Sequence, residues 1–336
     1  MNVFGILPNN QDVLAYTLRN TNGCELTVIN YGATITSLKI PTDSTNKVDV
    51  VLGFDSLEAY TNSFNLPSAP YFGAIIGRYA GRINEANFTL NSKKINLTNN
   101  HKTHQLHGGN EGFSQKIWKV IHQTTGDNPS ITLEYYSEAL EENYPGAVTV
   151  KVTYTLTENN ELKVDFWAKS SEDTIINLTQ HSYFNLNGHS SSVENLKLQV
   201  HSKEILETTS ELIPTGKCID LQNHAFDFSS PKDCPMNIDT TFVLENNRAA
   251  VLFCENSNLK MTVTTTQPAV HIYVGGNCFD TILGKEEAKY HPLSGICFET
   301  QNFPDAPNHS HFPNAILKKD EIYTHETVFQ FESITL

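Results

Sequence analysis

Two consecutive segments in the middle of the chain alternate strictly between apolar and polar residues. In VTVKVTYTLT (148–157) every second residue is apolar, and after the turn ENNE the alternation continues through LKVDFWA (162–168). Successive side chains of a β-strand point to opposite faces, so a period of two predicts strands that are buried on one side and wet on the other. The short polar turn between them predicts an antiparallel hairpin whose apolar side chains face one core.

The same alternation recurs along the rest of the chain, whereas helical periods are short. Further strand-like runs are ITLEYY, NLKLQV, AVHIYV and TVFQFES, and the best helical candidates are SLEAY and KEEAKY. No Pro-rich or Gly/Ser-rich linker and no repeat period interrupts them. We therefore predict an all-β fold, a large antiparallel β-sandwich with few short helices, forming a single domain over residues 1–336.

Charge and composition exclude several classes of partner. The formal net charge is −14, and only four of the 23 basic residues are arginine, so the chain lacks the basic surface that nucleic-acid binding needs. No stretch approaches the roughly 20 apolar residues of a membrane span, and no basic segment followed by an apolar run opens the chain. Six widely spaced cysteines without a CxxC pair fit free thiols. We expect a cytoplasmic protein that binds neither nucleic acid nor a membrane.

The motifs of several enzyme classes are absent. The sequence has no G-x-x-x-x-G-K-[ST], G-x-G-x-x-G, H-E-x-x-H or G-x-S-x-G, so an enzyme built from it would rely on acid–base chemistry of side chains. Three residues are candidates for that chemistry: His181 in LTQHSYFNL, His107 in LHGG and Glu299 in ICFETQNFPDAPN.

The context of two of these candidates predicts where they lie. LTQHSYFNL alternates like a strand, which places His181 on a polar, aromatic face with Thr179, Tyr183 and Asn185. Glu299 shares a strand face with Cys297 and Gln301, close to prolines that end the strand. The alternatives are an ordinary solvated sheet surface for the histidine, and a glutamate that pairs with a lysine or reaches water.

The segment YFGAIIGRYAGRI (71–83) holds half of the arginines of the chain. A guanidinium group is a planar fork of donors that suits sugar hydroxyls or a carboxylate, and it can also brace loops through backbone carbonyls. We assign Arg82 to the bracing role and Arg78 to ligand binding.

Ten blocks of the sequence resemble one known family. The sequence resembles the galactose mutarotase (aldose 1-epimerase) family in ten blocks, which occur in the same order and at similar intervals. The blocks are NYGATITSLKIP, VVLGFDSLEAY, YFGAIIGRYAGRI, LHGG followed by GF, NYPG, NLTQHSYFNL, LIPTG, TTQPAV, FETQNFPDAPN and FPNAILKKDEIY. The resemblance covers the chain from about residue 4 to residue 331.

The resemblance implies a fold, a reaction and a set of site residues. It implies a β-sandwich with the active site in a groove on a concave sheet face, where the α and β anomers of free hexoses such as galactose and glucose are interconverted without cofactor or metal. It assigns the general base to Glu299 and the general acid to His181. It places His107 beside the ring oxygen of the sugar, with Arg78 and Asp239 holding hydroxyls.

The chemistry of mutarotation suits that assignment. Opening the hemiacetal removes the proton of the anomeric hydroxyl and gives a proton to the ring oxygen, so one base and one acid are needed on opposite sides of the bond. Carboxyl groups with a pKa of about 4.3 and imidazoles near 6.5 meet this need at neutral pH. We therefore expect His181 and Glu299 to face one groove, with the sugar resting against Tyr183, Phe303 or another aromatic residue.

Three positions depart from the pattern of the family. Gln180 stands where Asn usually precedes the histidine, and Thr240 stands where His usually follows Asp239. His271 stands where Gln is common, and we expect it to be a sugar contact.

Other functions use some of the same residues. A non-catalytic carbohydrate-binding module on the same fold would not need a paired acid and base. A hexose-6-phosphate epimerase would need more arginine or lysine in the groove, and a glycosidase would pair Glu299 with Asp305 or Asp239 and have no need of His181. We expect the small-molecule sugar substrate to be the main partner, with the chain a monomer or weak homodimer.

Overall fold

Strands joined by short loops make up most of the molecule. A computed structural model describes residues 1–43, 45–274 and 282–334. The first strands are β1 (Asn2–Ile6), β2 (Asp12–Arg19), β3 (Glu25–Ile29), β4 (Thr34–Pro41), β5 (Lys47–Asp49), β6 (Ile75–Ile76), β7 (Arg82–Ile83), β8 (Asn87–Leu90), β9 (Lys93–Asn96) and β10 (Gln105–Leu106). The next are β11 (Lys119–Gln123), β12 (Ser130–Ser137), β13 (Val148–Leu156), β14 (Glu161–Ser170), β15 (Thr174–Ile175), β16 (Thr179–Gln180), β17 (Tyr183–Phe184), β18 (Lys197–Val200), β19 (Glu204–Thr208), β20 (Pro214–Asp220) and β21 (Lys232–Asp233). The last are β22 (Ile238–Val243), β23 (Arg248–Cys254), β24 (Leu259–Thr265), β25 (Ala269–Val274), β26 (Ile282–Leu283), β27 (Lys289–Tyr290), β28 (Ile296–Gln301), β29 (Ile316–Leu317) and β30 (Ile322–Ser333).

Helical structure in the described residues is short. The candidate SLEAY forms the α-helix α1 (Leu57–Ser63), which Ser56 caps by accepting a hydrogen bond from the Ala59 amide. The 3₁₀ turns are Asn84–Ala86, Phe113–Gln115, Glu141–Asn143, Val193–Asn195, Lys285–Glu287 and Ala306–Asn308. Among the described residues, no helix is long and apolar enough to cross a membrane.

The second helical candidate, KEEAKY, is wrong as a helix. It forms only the 3₁₀ turn Lys285–Glu287 and then enters β27, which pairs with β26. The reason is tertiary, because the buried ammonium of Lys285 donates to Asp49 Oδ2 at 2.8 Å and to the Thr36 carbonyl at 2.7 Å. These bonds fix the backbone of the turn in place of a continuing helix.

The predicted hairpin lies near the centre of a nine-stranded sheet. The order of this sheet is β11-β12-β13-β14-β30-β24-β23-β18-β21, and β13 faces β14 with Val152 opposite Phe166. Along β13 buried and half-buried residues alternate without exception, as the period of two requires. The β13–β14 hairpin and the mainly antiparallel β class are confirmed.

A six-stranded antiparallel sheet, of order β17-β28-β25-β22-β19-β20, packs on the nine-stranded one, and a five-stranded sheet of β1 to β5 adjoins them. The largest apolar cluster joins the inner faces of the two large sheets, where Ile272 and Phe298 lie in one cluster with Val263 and Phe329. The prediction of a large β-sandwich is therefore confirmed. The opposite face of the six-stranded sheet is free to carry polar residues.

A buried charged cluster ties the β26–β27 hairpin to the N-terminal sheet. Lys285 is 5% exposed, and the carboxylate of Asp49 accepts from it, from Ser37 Oγ at 2.8 Å and from the Leu38 amide at 2.9 Å. His189 Nε2 lies 3.7 Å from Asp49 Oδ2. Burial alone would raise the pKa of the Asp49 carboxyl, but His189 and Lys285 outweigh it and hold the pKa below its usual value.

Replacing Asp49 by Asn is expected to lower the free energy of unfolding at pH 7 by about 3–5 kcal/mol, because the buried charge of Lys285 loses its partner. The folded-state pKa of Asp49 lies below its unfolded value, so its contribution is present above about pH 4 and is lost as the pH falls further. Urea unfolding at several pH values should therefore show the gap between wild type and variant beginning to narrow as the pH falls below about 4. Asp320→Asn, at an exposed ion pair with Lys169, should cost less than about 1 kcal/mol, and an equal loss in both variants would contradict this account.

Candidate active site

A cavity of about 250 Å³ opens on the polar face of the six-stranded sheet. Its floor consists of alternate residues of β22, β25 and β28, namely Asp239, Thr241, His271, Tyr273, Glu299 and Gln301. The antiparallel register places His271 directly between Thr241 on one neighbouring strand and Glu299 on the other. The period of two thus brings the polar residues of three strands to one face.

The structure brings His181 and Glu299 together at this floor. Nε2 of His181 lies 3.5 Å from Oε1 of Glu299, and each side chain is 3% exposed. Behind the histidine, the thiol of Cys297 lies 3.8 Å from Nδ1. The imidazole therefore presents Nε2 to the carboxylate and to the cavity.

His181 sits in a break between two strands, where the sequence predicted one continuous strand. β16 pairs with β6 and β17 pairs with β28, and His181 and Ser182 between them belong to neither strand. Beside this break, the side-chain amide of Gln180 donates to Gly73 O and to Ser182 Oγ, and its oxygen accepts from the Ser182 amide. Gln180, which stands where Asn is usual, thus uses its side-chain amide for hydrogen bonds within the protein, next to the backbone of His181.

His107 reaches the cavity from the LHGG loop. Its own φ is +51°, and a Cβ on the following Gly108 would lie 1.9 Å from the carbonyl oxygen of Gly77, so only glycine fits there. Nδ1 of His107 accepts a hydrogen bond from the Gly81 amide at 3.3 Å, which leaves the ring proton on Nε2. Burial, followed by the neighbouring charge of His181, holds the pKa of His107 well below its usual value, so this imidazole is neutral at pH 7.

Arg78 does not line the cavity, and its assignment to ligand binding is not supported. The side chain is 2% exposed, and Nε donates to Ser137 Oγ at 2.9 Å. The other nitrogens donate to the carbonyls of Ser137, Glu138, Pro145 and Gly146. Arg78 therefore stabilises a loop, because each N–H of its guanidinium group donates to an acceptor of the protein.

Arg82 takes the place that the sequence interpretation gave to Arg78. It lies in β7 at the wall of the cavity, and its Nε is buried without a hydrogen-bond partner among the described residues. The positions of the two arginines, one bonded to loop carbonyls and the other at the cavity wall, are therefore reversed from the expectation. Nothing in the local sequence distinguished them, since both follow a glycine in the same apolar segment.

Asp239 and His271 both line the cavity and bind each other. Nε2 of His271 lies 2.9 Å from Asp239 Oδ1, and Nδ1 lies 2.8 Å from Thr241 Oγ1. Both ring nitrogens of His271 are therefore engaged within the protein, which argues against the expected direct hydrogen bond from His271 to a sugar. Thr240, beside Asp239, is paired with Ile272 on the adjacent strand and is half-buried.

The aromatic wall of the cavity differs from the expected one. Tyr183 is fully buried, with its ring centroid 5.4 Å from that of His181, and Phe303 packs on Phe312. Neither lines the cavity, so both are wrong as sugar platforms. The aromatic residues that do line it are Phe64, Tyr71 and Tyr273.

Sequence reasoning could have found one of these aromatic residues. Tyr273 is two positions from His271 on the same strand face, so strand alternation alone places it in the groove. Tyr71 and Phe64 lie on loop and helix-end positions that carry no periodic signal, and the ring of Tyr71 reaches to 5.1 Å from that of His107.

Three buried polar atoms at the cavity have no partner in the described part of the chain. They are the acceptors Glu299 Oε2 and Gln301 Oε1 and the donor Arg82 Nε. Buried polar groups are nearly always hydrogen-bonded in proteins, so such atoms mark a place where a ligand supplies the partner. A small ligand that carries several hydroxyl groups, each both donor and acceptor, fits this mixture.

His107, His181 and Glu299 could also be considered as metal ligands, since their ligand atoms lie within 4.8 Å of one another. The bond from the Gly81 amide argues against that use, because it places the ring proton of His107 on Nε2 and leaves that nitrogen no lone pair. The set fits proton transfer and hydrogen bonding better than metal binding.

Comparisons with known proteins agree on one family. Residues 14–330 match the sequence model of the aldose 1-epimerase family. Galactose mutarotase from Bos taurus is 36% identical over 98% of this chain and 97% of its own, and aldose 1-epimerase from Escherichia coli K12 is 30% identical over 97% of each. The crystal structure of an aldose epimerase homologue from C. elegans superposes with a TM-score of 0.88 at 26% identity, covering 96% of this chain and 100% of that one.

The two arginines should behave differently when each is replaced by glutamine. Arg78→Gln is expected to lower the free energy of unfolding by about 3 kcal/mol or more, because buried carbonyls lose their donor. Arg82→Gln removes a group that binds no described residue through Nε and should cost less than about 1 kcal/mol. Equilibrium denaturation of both variants tests this, and equal losses would show that Arg82 is also a brace.

Proposed function

Since this chain belongs to the aldose 1-epimerase family, we propose that it is an isomerase that interconverts the α and β anomers of free hexoses such as galactose and glucose. The observation that carries the proposal is the pair of His181 and Glu299. An imidazole and a carboxylate lie 3.5 Å apart at the floor of a cavity whose remaining polar atoms suit hydroxyl groups.

Glu299 is proposed as the general base. In the ring-opening step it takes the proton of the anomeric hydroxyl, and the electrons of that O–H bond form the aldehyde C=O as the bond from C1 to the ring oxygen breaks. Oε2 has no hydrogen-bond partner among the described residues and is the acceptor available to this hydroxyl. No lysine lines the cavity in the described residues, so no buried ammonium competes for the carboxylate.

His181 is proposed as the general acid. Its Nε2 gives a proton to the ring oxygen as the C1–O5 bond breaks, and the sulfur of Cys297 can accept from the Nδ1 proton that the neutral ring keeps. Rotation about the C1–C2 bond then presents the other face of the aldehyde. Ring closure exchanges the roles, with His181 taking back the proton and Glu299 returning one to the anomeric oxygen.

The neighbouring residues are proposed to hold the sugar. The neutral His107 can donate its Nε2 proton to the ring oxygen or an adjacent hydroxyl, and its low pKa prevents it from replacing His181 as the acid. Arg82 and Asp239, with Gln301, offer donors and acceptors for the remaining hydroxyls. A hexose would rest against the rings of Tyr71 and Tyr273.

The rival functions are not favoured. A binding module does not require an acid and a base in contact. Among the described residues that line the cavity, Arg82 is the one arginine and there is no lysine, which is too little for a phosphate dianion. Of the two aspartates considered for a glycosidase pair, Asp305 is 1% exposed, lies outside the cavity and accepts from the Asn84 amide. Asp239 lines the cavity, but its carboxylate is bonded to His271.

Several further properties remain predictions. We infer one domain over residues 1–336, because the largest apolar cluster contains residues from Tyr16 to Phe331. The cytoplasmic location and the monomeric or weakly dimeric state rest on the sequence alone. The described cysteines Cys24, Cys218, Cys234, Cys254 and Cys297 are free, and Cys278 lies outside the described residues.

Polarimetry of freshly dissolved α-D-galactose and α-D-glucose tests the proposal. Wild type should speed the approach to anomeric equilibrium, and Glu299→Gln and His181→Asn should each reduce kcat about 100- to 10,000-fold while remaining folded. Asp305→Asn is a control for the glycosidase pair and should leave no comparable catalytic defect. If wild type gives only the spontaneous rate, the proposed function is wrong.

Arg82→Gln is expected to lower kcat/KM for galactose about 10-fold or more, with the larger part of the change in KM, because a charge-assisted donor to sugar hydroxyls is lost. Arg82→Lys should restore only part of this loss, since a point charge does not reproduce the planar fork. Unchanged kinetics in Arg82→Gln would remove Arg82 from the proposed site.

A further inference from the structure

His271 occupies the centre of the polar face without offering either nitrogen to a ligand. It lies on β25 between Thr241 and Glu299, and Asp239 is the next residue along β22 on the same face. The carboxylate of Asp239 accepts a hydrogen bond from Nε2 of His271, so Nε2 carries a proton in both charge states of the ring. The second proton of the ring, at Nδ1, therefore decides its charge.

The partner at Nδ1 permits both charge states. The hydroxyl of Thr241, 2.8 Å away, can donate to the neutral ring or accept from the cationic ring by turning its hydrogen. His271 can gain and lose a proton without moving its ring or its neighbours. An amide or a carboxylate as the only partner would favour one state.

The charges around His271 favour the cation. Facing it are the acidic groups of Asp239 and Glu299, and on the opposing side the basic groups of Arg82, His107 and, near Asp239, His101. Burial alone would lower the pKa of His271, but the hydrogen bond and charge of Asp239, with the charge of Glu299, outweigh burial and Arg82 and raise the pKa above its usual value. Burial would likewise raise the pKa of Asp239, and His271 holds it below its usual value.

We propose that His271 is a positioning residue whose protonated form fixes Asp239 and supports the negative charge of Glu299 on the adjacent strand. This inference rests on the proposed function, in which ionised Glu299 is the base. The cation balances two carboxylates that face one small cavity. It acts through these neighbours and not by touching the sugar.

The consequence is that wild type should stay active at lower pH than a variant that lacks this cation. The base step requires ionised Glu299, and the cation of His271 on the adjacent strand attracts that carboxylate. With a neutral residue at position 271, Asp239 would face Glu299 without compensation, and the variant would lose activity at a higher pH than wild type does. At alkaline pH, where wild-type His271 has lost its extra proton, the difference should vanish.

The test compares kcat and KM between pH 4 and pH 9 for wild type and His271→Gln, with the spontaneous rate subtracted at each pH. The acid limb of kcat/KM should move to higher pH by about 0.5 to 1 unit in the variant, the two profiles should converge at alkaline pH, and the melting temperature should stay nearly constant. The same substitution at the exposed His122 is the matched control and should leave the profile unchanged. Superimposable profiles for wild type and His271→Gln overturn the proposal.

A second measurement tests the proposal on wild type, in case His271→Gln does not fold. The imidazole resonances of His271 in wild type, assigned through their contacts to Thr241, should titrate with a midpoint above about 6.5. A midpoint at or below that value overturns the proposal without any variant. Wild type that does not catalyse mutarotation would instead refute the proposed function, so the two failures are distinguishable.

Discussion

The antiparallel register of β22, β25 and β28 is the constraint on which the site depends. It sets Thr241, His271 and Glu299 in one row across three strands. The residues between them, such as Ile272 and Phe298, point into the apolar cluster shared with the nine-stranded sheet. A slip of one residue would bury Glu299 in that cluster and expose Phe298 to the cavity, so hydrophobic burial on one face enforces the geometry of the candidate site on the other.

Much of this could be predicted from the sequence because strand alternation is a local signal. It gives the β13–β14 hairpin and the sandwich, and the shared face of Glu299 and Gln301 follows from the same period. The segment around His181 shows where the signal fails. LTQHSYFNL alternates like one strand, yet its two halves pair with different strands, and the side chain of Gln180 bonds to the backbone of Gly73 and Ser182 beside the break. Those bonds depend on a loop about a hundred residues away, which no local pattern contains.

The two arginines were misassigned for a related reason. Arg78 and Arg82 lie in one short segment, and the acceptors that hold Arg78 come from residues 137–146. Only the packing of that distant loop around the first guanidinium group decides which arginine is hydrogen-bonded within the protein and which faces the cavity. Residue type predicted that one arginine would brace and one would bind, while the tertiary structure decided which.

Three of the histidines that line the cavity differ in their surroundings, and the proposed tasks differ with them. His107 meets an amide donor, burial and the neighbouring charge of His181, which keep it neutral, whereas His271 meets a carboxylate, which favours its cation. His181 lies between the thiol of Cys297, 3.8 Å from Nδ1, and the carboxylate of Glu299, 3.5 Å from Nε2, which suits the proton transfer proposed for it. The buried atoms of Glu299, Gln301 and Arg82 that lack partners in the described residues cost stability. That cost is tolerable because the arginine brace and the apolar sandwich hold the site rigid from outside, so a ligand with hydroxyl groups can satisfy those atoms without rearranging the protein.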